Sequence, residues 1–388
     1  MNELMFSKYY ILKLISSITR MCTILYIPLI LTTDFEFEKY GTFIVILSSI
    51  SIVSGFGVPV ELVKKYGENI IEKKVYNNIL LPLHVVSIIP LYFLAIAISP
   101  EMVGLNLIVS ILFILSETLF LDILRQHQIR SEYKIHILRS FYKSISLFVI
   151  IAFFAILSNK ISFQQFLVIN IIINFLIILS TDYFKNIEII KGIKSIDIRL
   201  LKISFPYFLM YFIDKYLISF DRTLFLNYLE AENYKKFILI FPILLAAFNL
   251  IEGSVFLKDY NNVFTGKLKF YSFFKMALIL SLLSIFISII IYYYILFTQN
   301  IILPELQLFL SSFTFILFSS IGWYFNIVNY KNKSSFQFLL ISIVIGTIYL
   351  LFIKIFFTMN LTNIFILICM LPASVAITNF AFVKKSII

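Results

Sequence analysis

The chain is poor in the residues that shape water-soluble domains. Only 14% of its 388 residues are charged, and it contains 10 Gly, 9 Pro, 2 Cys and 1 Trp. Soluble domains carry about 25% charged residues, so the chain has too little polar surface for a soluble enzyme. The scarcity of Gly and Pro excludes collagen-like and low-complexity classes. Cys22 and Cys369 are too few and too far apart for a disulfide framework or a cysteine metal site.

Long apolar runs dominate instead, since 61% of the residues are hydrophobic and 18% are aromatic. A membrane-crossing helix needs about 20 apolar residues, and twelve runs approach that length: 9–32, 41–60, 78–99, 105–124, 139–158, 161–183, 203–226, 236–257, 275–297, 303–328, 336–358 and 361–382. Continuous runs favour helices over the alternating strands of a barrel. The sequence therefore predicts an all-α, multi-pass membrane protein with about 12 transmembrane helices.

The basic residues indicate the orientation. Most of the 32 Lys and Arg residues lie in alternate connections that begin with the N-terminus, and the opposite connections hold Lys39, Lys160, Lys235 and Lys236. The positive-inside rule then places both termini in the cytoplasm. Because the net charge of +11 comes from these short clusters, it does not indicate a nucleic-acid partner. The lipid bilayer is the expected surrounding.

An internal repeat appears when the sequence is aligned with itself at an offset of 194 residues. Two predicted outward connections then share the pattern Glu-x-Glu-x-Tyr, in the pairs Glu36/Glu230, Glu38/Glu232 and Tyr40/Tyr234. The repeat predicts two pseudo-symmetric six-helix lobes with a cavity between them, as in transporters with parallel repeats. The predicted boundaries are 1–184 for the N-terminal lobe, 185–202 for a cytoplasmic linker and 203–388 for the C-terminal lobe.

Several motifs resemble those of one membrane-protein family. They are Glu38-Lys-Tyr-Gly41, Ser54-Gly-Phe-Gly-Val-Pro59, the seventh run from Pro206 to Asp221-Arg222, and Leu229-Glu-Ala-Glu-Asn-Tyr234. The chain thereby resembles the O-antigen flippases (Wzx type) of the multidrug/oligosaccharidyl-lipid/polysaccharide (MOP) superfamily, whose fold is MATE-like. It departs from that pattern where relatives often carry an acidic residue, because Ser54 or Phe56 stands there.

The resemblance implies a non-enzymatic function in polysaccharide (O-antigen, lipopolysaccharide) biosynthesis. A flippase of this type moves an undecaprenyl-pyrophosphate-linked oligosaccharide from the cytoplasmic to the periplasmic leaflet of the bacterial inner membrane by alternating access. Its expected partners are this lipid-linked oligosaccharide, a polysaccharide polymerase and the chain-length machinery.

Charged residues inside the predicted spans are the candidate site residues, because each is costly to bury in a bilayer. The basic candidates for binding the pyrophosphate in the lumen are Arg20, Lys215, Arg222 and Lys354. The acidic candidates for coupling or gating are Asp214, Asp221 and Glu117. Structural alternatives stay open: Arg20 could pair with Asp214, Asp221 and Arg222 could form salt bridges, and Lys354 could reach the interface.

Other polar residues receive simpler interpretations. Asp122 and Glu252 lie near cytoplasmic edges, where pairing with Arg125 and Lys258 is expected. His84 is expected in a polar pocket, with a proton relay as the alternative. The three His residues are too dispersed for a metal site, and no nucleotide-binding motif is present. No cofactor is therefore expected beyond a coupling ion, H+ or Na+.

Two other functions fit a polytopic chain. A polysaccharide polymerase or ligase would carry a large outward loop with basic residues, whereas the predicted outward connections are short and acidic. A small-cation or drug exporter of the same superfamily would favour acidic residues in the lumen, whereas several predicted intramembrane charges are basic.

Overall fold

The structure of the chain is a computed structural model. It describes residues 11–12, 15–20, 22–23, 26–27, 29–59, 62, 73–129, 132–157, 159–181, 183, 198–209, 212–213, 237, 240, 244, 247–248, 251, 263, 267–299, 305–332, 335–355 and 361–382. Its helices with defined ends are α1 (Asp34–Val53), α2 (Lys73–Ile98), η1 (Pro100–Gly104), α3 (Leu107–Ile129), α4 (Tyr133–Ile156), α5 (Phe163–Leu179), α6 (Phe270–Gln299), α7 (Glu305–Asn332), α8 (Ser335–Ile355) and α9 (Leu361–Ala381).

The helical prediction is confirmed for the described residues. Helices α1 to α5 coincide with predicted spans two to six, and α6 to α9 with spans nine to twelve. Within the described part of the chain, five helical segments are long and apolar enough to cross a membrane: Asn77–Ala97, Leu107–His127, Lys134–Ile156, Phe270–Ile290 and Leu306–Val328. Such lengths suit a multi-pass membrane protein, because helices satisfy their own backbone hydrogen bonds in lipid. The full count of twelve and the cytoplasmic position of both termini stay predictions.

Helix α1 begins earlier than the apolar run that predicted it. Its N-cap is Thr33, whose hydroxyl accepts a hydrogen bond from the Glu36 backbone N–H. The acidic residues Asp34, Glu36 and Glu38 therefore lie in the first turns of a helix rather than in a loop. Negative charge is favourable there, because it faces the positive end of the helix dipole. The apolar run therefore places the start of α1 at residue 41, too late, because the first turns of the helix are polar.

A glycine turn ends α1 at Val53, earlier than the predicted run, which extends to residue 60. Gly55, Phe56 and Gly57 have φ values of 81°, 52° and 76°, a conformation that terminates a helix and favours glycine. A Cβ atom on Gly57 would lie 2.4 Å from the Ser204 carbonyl oxygen and 2.7 Å from the Phe208 nitrogen. The turn therefore packs directly against the backbone of the helical residues 198–209.

The chain divides into two compact units, Met1–Leu226 and Asn227–Ile388. Helix α3 is central in the first unit, where it contacts α1, α2, α4 and α5. The N-terminal helical residues pack on α4, with a 3.0 Å hydrogen bond from Ser16 to Ser144. In the second unit, α7 contacts both α6 and α9, and α9 contacts α8. The predicted lobe boundaries at 184 and 203 stay predictions, because most of the linker 185–202 lies outside the described residues.

The Gly57 contact makes a stability prediction. Gly57→Ala should lower the melting temperature of the detergent-purified protein by several degrees. A non-glycine residue at positive φ costs roughly 1–2 kcal/mol, and the added methyl group meets backbone atoms that cannot rotate away. Gly104→Ala is the matched control, since no heavy atom lies within 4 Å of its added Cβ. Equal melting temperatures for the two variants would contradict the close packing.

Candidate functional site

The described residues include only some of the predicted site positions. Arg20 and Glu117 are described, and Lys354 lies in α8 although its side chain is outside the described part. The remaining predicted residues, Asp214, Lys215, Asp221, Arg222 and Glu252, all lie outside the described residues. The site that can be built from the structure therefore belongs to the first unit.

Glu117 on α3 is held by side chains from two neighbouring helices, α4 and α5. Its carboxylate accepts a hydrogen bond from the Lys143 ammonium on α4 at 2.6 Å and from the Asn174 amide on α5 at 3.0 Å. Lys143 also lies 4.4 Å from the centre of the Phe120 ring. The side chains of Glu117 and Lys143 are 15% and 19% exposed. A carboxylate in such surroundings is stabilised only by partners of this kind, because an unpaired buried charge is very costly.

Both members of this ion pair lie deep in their helices. Glu117 is in the middle of α3, and Lys143 is in the third turn of α4. At a rise of about 1.5 Å per residue, each lies roughly 15 Å from the nearer helix end. Lys143 falls within the predicted span 139–158, and α4, which begins at Tyr133, carries it into the apolar part of the helix. The sequence spacing does not predict the contact between Glu117 and Lys143, because the two residues lie on different helices.

Arg20 lies beside the Glu117–Lys143 pair. It is close enough for its charge to act on both the carboxylate and the ammonium group. Its side chain is exposed, and within the described part of the chain no ion pair to Arg20 is present. The buried residue Ser16, one turn earlier on the same face, contacts α4 next to Lys143. Arg20 is thus an exposed cation next to the ion pair that Glu117 and Lys143 form with each other.

A second polar network joins α1, α2 and α3. The His84 Nε2 atom lies 2.7 Å from Asp122 Oδ2, and its Nδ1 atom lies 3.0 Å from Ser54 Oγ. Arg125 donates to the other carboxylate oxygen of Asp122 at 3.1 Å. The His84 and Asp122 side chains are fully buried, whereas that of Arg125 is 31% exposed. The predicted Asp122–Arg125 pair is confirmed, and His84 is its unpredicted third member.

The surroundings of His84 are polar and tightly packed. Ser54 contacts the Thr118 hydroxyl at 3.3 Å, and the Gly55 N–H donates to Ser87 Oγ at 2.7 Å. A Cβ atom on Gly55 would approach the His84 ring at 3.0 Å. The expectation of a polar pocket for His84 is confirmed.

Ser54, His84 and Asp122 are the residue types of a hydrolase triad, but the Ser54 residue is only 1% exposed. Nucleophilic attack needs a hydroxyl that substrate can reach. This buried arrangement does not suit acyl transfer. Among the described residues, no group of three or more His, Cys, Asp or Glu residues could hold a metal ion.

The described polar contacts of the second unit have a different character. Ser288 on α6 donates to Ser312 on α7, and the Thr314 hydroxyl contacts the Cys369 thiol on α9 at 2.9 Å. The charged residues of α6 to α9 lie near helix ends: Lys275, Glu305, Lys331 and Lys354. Deep charge in the described helices is therefore a property of the first unit.

The chain has the fold of MATE transporters. It superimposes on the inward-facing conformation of a multidrug resistance MATE family transporter of the MOP superfamily with a TM-score of 0.58 and 13% identity, covering 100% of this chain and 95% of that chain. The outward-facing conformation of such a transporter gives a TM-score of 0.56, 12% identity and coverage of 98% and 95%. A MATE protein in the straight conformation gives 0.52 at 13% identity with the same coverage.

No protein-family model and no curated protein matches the sequence. The structural neighbours are transporters rather than enzymes. They establish the MATE-like fold that the sequence analysis expected. The Wzx-type flippase assignment rests on the sequence motifs and stays a prediction.

The Glu117–Lys143 pair yields a prediction about stability. Lys143→Met should destabilise the protein by about 3 kcal/mol, because it leaves Glu117 as an unpaired buried charge. The double variant Glu117→Gln/Lys143→Met should recover a large part of that loss. The measurement is chemical unfolding or melting of the purified protein in detergent.

Lys39→Met provides a closely matched control for this experiment. Lys39 also pairs with a carboxylate, that of Glu36 at 2.9 Å, and lies 4.4 Å from the Phe35 ring. Its pair lies in the first turns of α1, at the expected surface of the membrane, where such bonds contribute about 0–1 kcal/mol. Equal losses in Lys143→Met and Lys39→Met would contradict a deep, water-poor position for the Glu117 pair.

Proposed function

We propose that the chain is a flippase that moves an undecaprenyl-pyrophosphate-linked oligosaccharide across the bacterial inner membrane by alternating access. The MATE-like fold supports a transport function. The residue motifs shared with Wzx-type flippases support the polysaccharide substrate. The cationic character of the described site supports a negatively charged headgroup.

One observation carries the proposal: Arg20 is exposed on a polar side of the described helical residues between 11 and 30, which precede α1. At about 100° per residue, Arg20 lies about 140–180° around the helix from Ile11, Ile15 and Ile18. Those isoleucines are 53%, 37% and 45% exposed. An exposed apolar face suits acyl chains, and an arginine on the opposite side avoids them. Because a charge facing lipid costs several kcal/mol, this side is expected to meet water and substrate.

The charges around Arg20 favour an anion. Arg20 and Lys143 surround a single carboxylate, that of Glu117, so this cluster carries one excess positive charge. A guanidinium presents paired N–H donors that match the oxygens of a phosphate. A lipophilic cation would instead be repelled from Arg20. In the proposed cycle, Arg20 binds the diphosphate while the polyprenyl tail remains in the lipid.

Arg20→Gln should reduce delivery of polysaccharide to the cell surface at least tenfold. The glutamine keeps the approximate size of the side chain and removes the charge and the bidentate donors. Arg20→Lys should retain a part of the activity, since it keeps the charge alone. The measurement is the surface polymer of a host that lacks its own copy of this gene and expresses each variant at an equal membrane level.

Lys269→Gln is the control. It removes one exposed positive charge from a residue that lies just before α6 and outside the helix. It should give a normal amount of polymer. Normal polymer in the Arg20→Gln strain would remove Arg20 from the mechanism. Export of lipophilic cations by the wild type, with no effect on surface polymer, would favour a drug exporter instead.

A further inference from the structure

The buried network around His84 can satisfy every hydrogen bond in two protonation states. With a neutral ring, Nε2–H donates to the Asp122 carboxylate at 2.7 Å and Nδ1 accepts from the Ser54 hydroxyl at 3.0 Å. With a charged ring, both nitrogens donate, and Ser54 Oγ becomes the acceptor for Nδ1–H. The Ser54 hydroxyl then turns to the Ser51 carbonyl oxygen, which lies 2.9 Å away. One rotating hydroxyl therefore serves both states.

The charges in the network also suit the uptake of a single proton. Asp122 stands between His84 and Arg125, so its carboxylate faces two partners, of which Arg125 carries a permanent charge. The neutral-ring state of the three residues has no net charge, and the charged-ring state carries +1. The groups from α1 that face His84 are uncharged. The nearest helical segment, 198–209, contributes Arg199 and Lys202, both exposed, and Leu200, which packs with Leu80 and Leu83.

We propose that His84, held between Asp122 and Ser54, is a proton-binding site that couples a proton to transport by this chain. A proton from water adds to Nδ1, the imidazole becomes imidazolium, and release of the same proton restores the neutral ring. No other bond is made or broken. Arg125 is the partly exposed member of the network, with 31% of its side chain exposed. The coupling part of this proposal rests on the proposed transport function.

The structure also contains a physical route from this site to another helix. Ser54 begins the turn in which Gly57 presses on the backbone of Ser204 and Phe208. The Phe56 ring packs against Phe208 with 5.5 Å between the ring centres. The hydrogen bond between Ser54 and His84 therefore changes direction at one end of the turn 54–57. The other end of this turn contacts the helical residues 198–209. That segment leads into the seventh predicted span.

Histidine NMR tests the site without any transport measurement. The chain has only 3 His residues, so protein labelled with 15N-histidine gives three sets of ring signals, and His84→Gln assigns the set from His84. We expect the spectra to contain both the neutral and the charged form of the His84 ring when the pH is varied over the range in which the protein stays folded. A ring that keeps one form over this whole range would overturn the proposal, because the network would then be a structural ion pair.

Ser54→Ala tests the role of the hydroxyl while leaving His84 and Asp122 in place. It should lower the ratio of charged to neutral His84 about tenfold at a given pH, because both forms lose their hydrogen bond to Ser54 and the bond made by the charged ring is the stronger one. Ser110→Ala is the matched control on α3: Ser110 is fully buried, and within the described part of the chain its hydroxyl has no hydrogen-bond partner. An unchanged ratio in Ser54→Ala would overturn the two-state role of Ser54.

Proteoliposomes separate the site from the transport function. We load them with a fluorescent polyprenyl-diphosphate oligosaccharide and compare translocation with and without a pH gradient. The wild type should respond to the gradient by at least threefold, and His84→Gln should translocate at the rate without a gradient under both conditions. An equal response in His84→Gln would overturn proton coupling at His84. No translocation by the wild type would overturn the proposed function, while the NMR result would still decide whether His84 binds a proton.

Discussion

The first unit depends on one constraint, which is that a carboxylate far from water must be paired. Helix α3 carries two such carboxylates, Glu117 and Asp122, and each has a basic partner. Because α3 is the central helix of this unit, those partners come from different neighbours: Lys143 from α4, and His84 from α2. The pairing therefore joins the helices with directional contacts in addition to apolar packing. Removal of Lys143 would leave Glu117 as a buried charge whose cost exceeds that of most single substitutions, whereas Asp122 keeps Arg125 when His84 is replaced.

In the proposed transport cycle, the two networks on α3 have different tasks. Glu117 and Lys143 lie beside the accessible Arg20, so that network can influence how an anion binds. His84 and Asp122 are sealed from solvent and lie against the glycine turn at the end of α1. A proton-coupled transporter of the proposed kind needs both a substrate site and a group whose protonation changes its conformation. Proximity on one helix gives the two sites a short physical connection.

The fold could be predicted from the sequence to a large extent, because the signal is strong and local. Apolar runs of about 20 residues have few alternatives to a membrane helix. Helix ends were less predictable: α1 begins at Asp34 because Thr33 caps it, and it ends at the positive-φ residues that follow Ser54. A hydropathy pattern reflects neither the capping by Thr33 nor the positive-φ turn.

The site was predictable only where its contacts are local. Asp122 and Arg125 are three residues apart on one helix, so their pairing followed from the sequence. The partners Glu117 and Lys143, and likewise His84 and Asp122, come from different helices, and a single sequence does not report such packing. Arg20 was recognised because a charge inside an apolar run is unusual. The network that surrounds it became visible only in three dimensions.

The most direct test of the account is the binding of defined lipids to the purified protein. Native mass spectrometry can compare a polyprenyl diphosphate with the corresponding monophosphate and with a lipophilic cation. A diphosphate site at Arg20 predicts the tightest binding for the diphosphate and a loss of that preference in Arg20→Gln. Equal binding of the two phosphates, or tighter binding of the cation, would contradict a flippase for diphosphate-linked sugars.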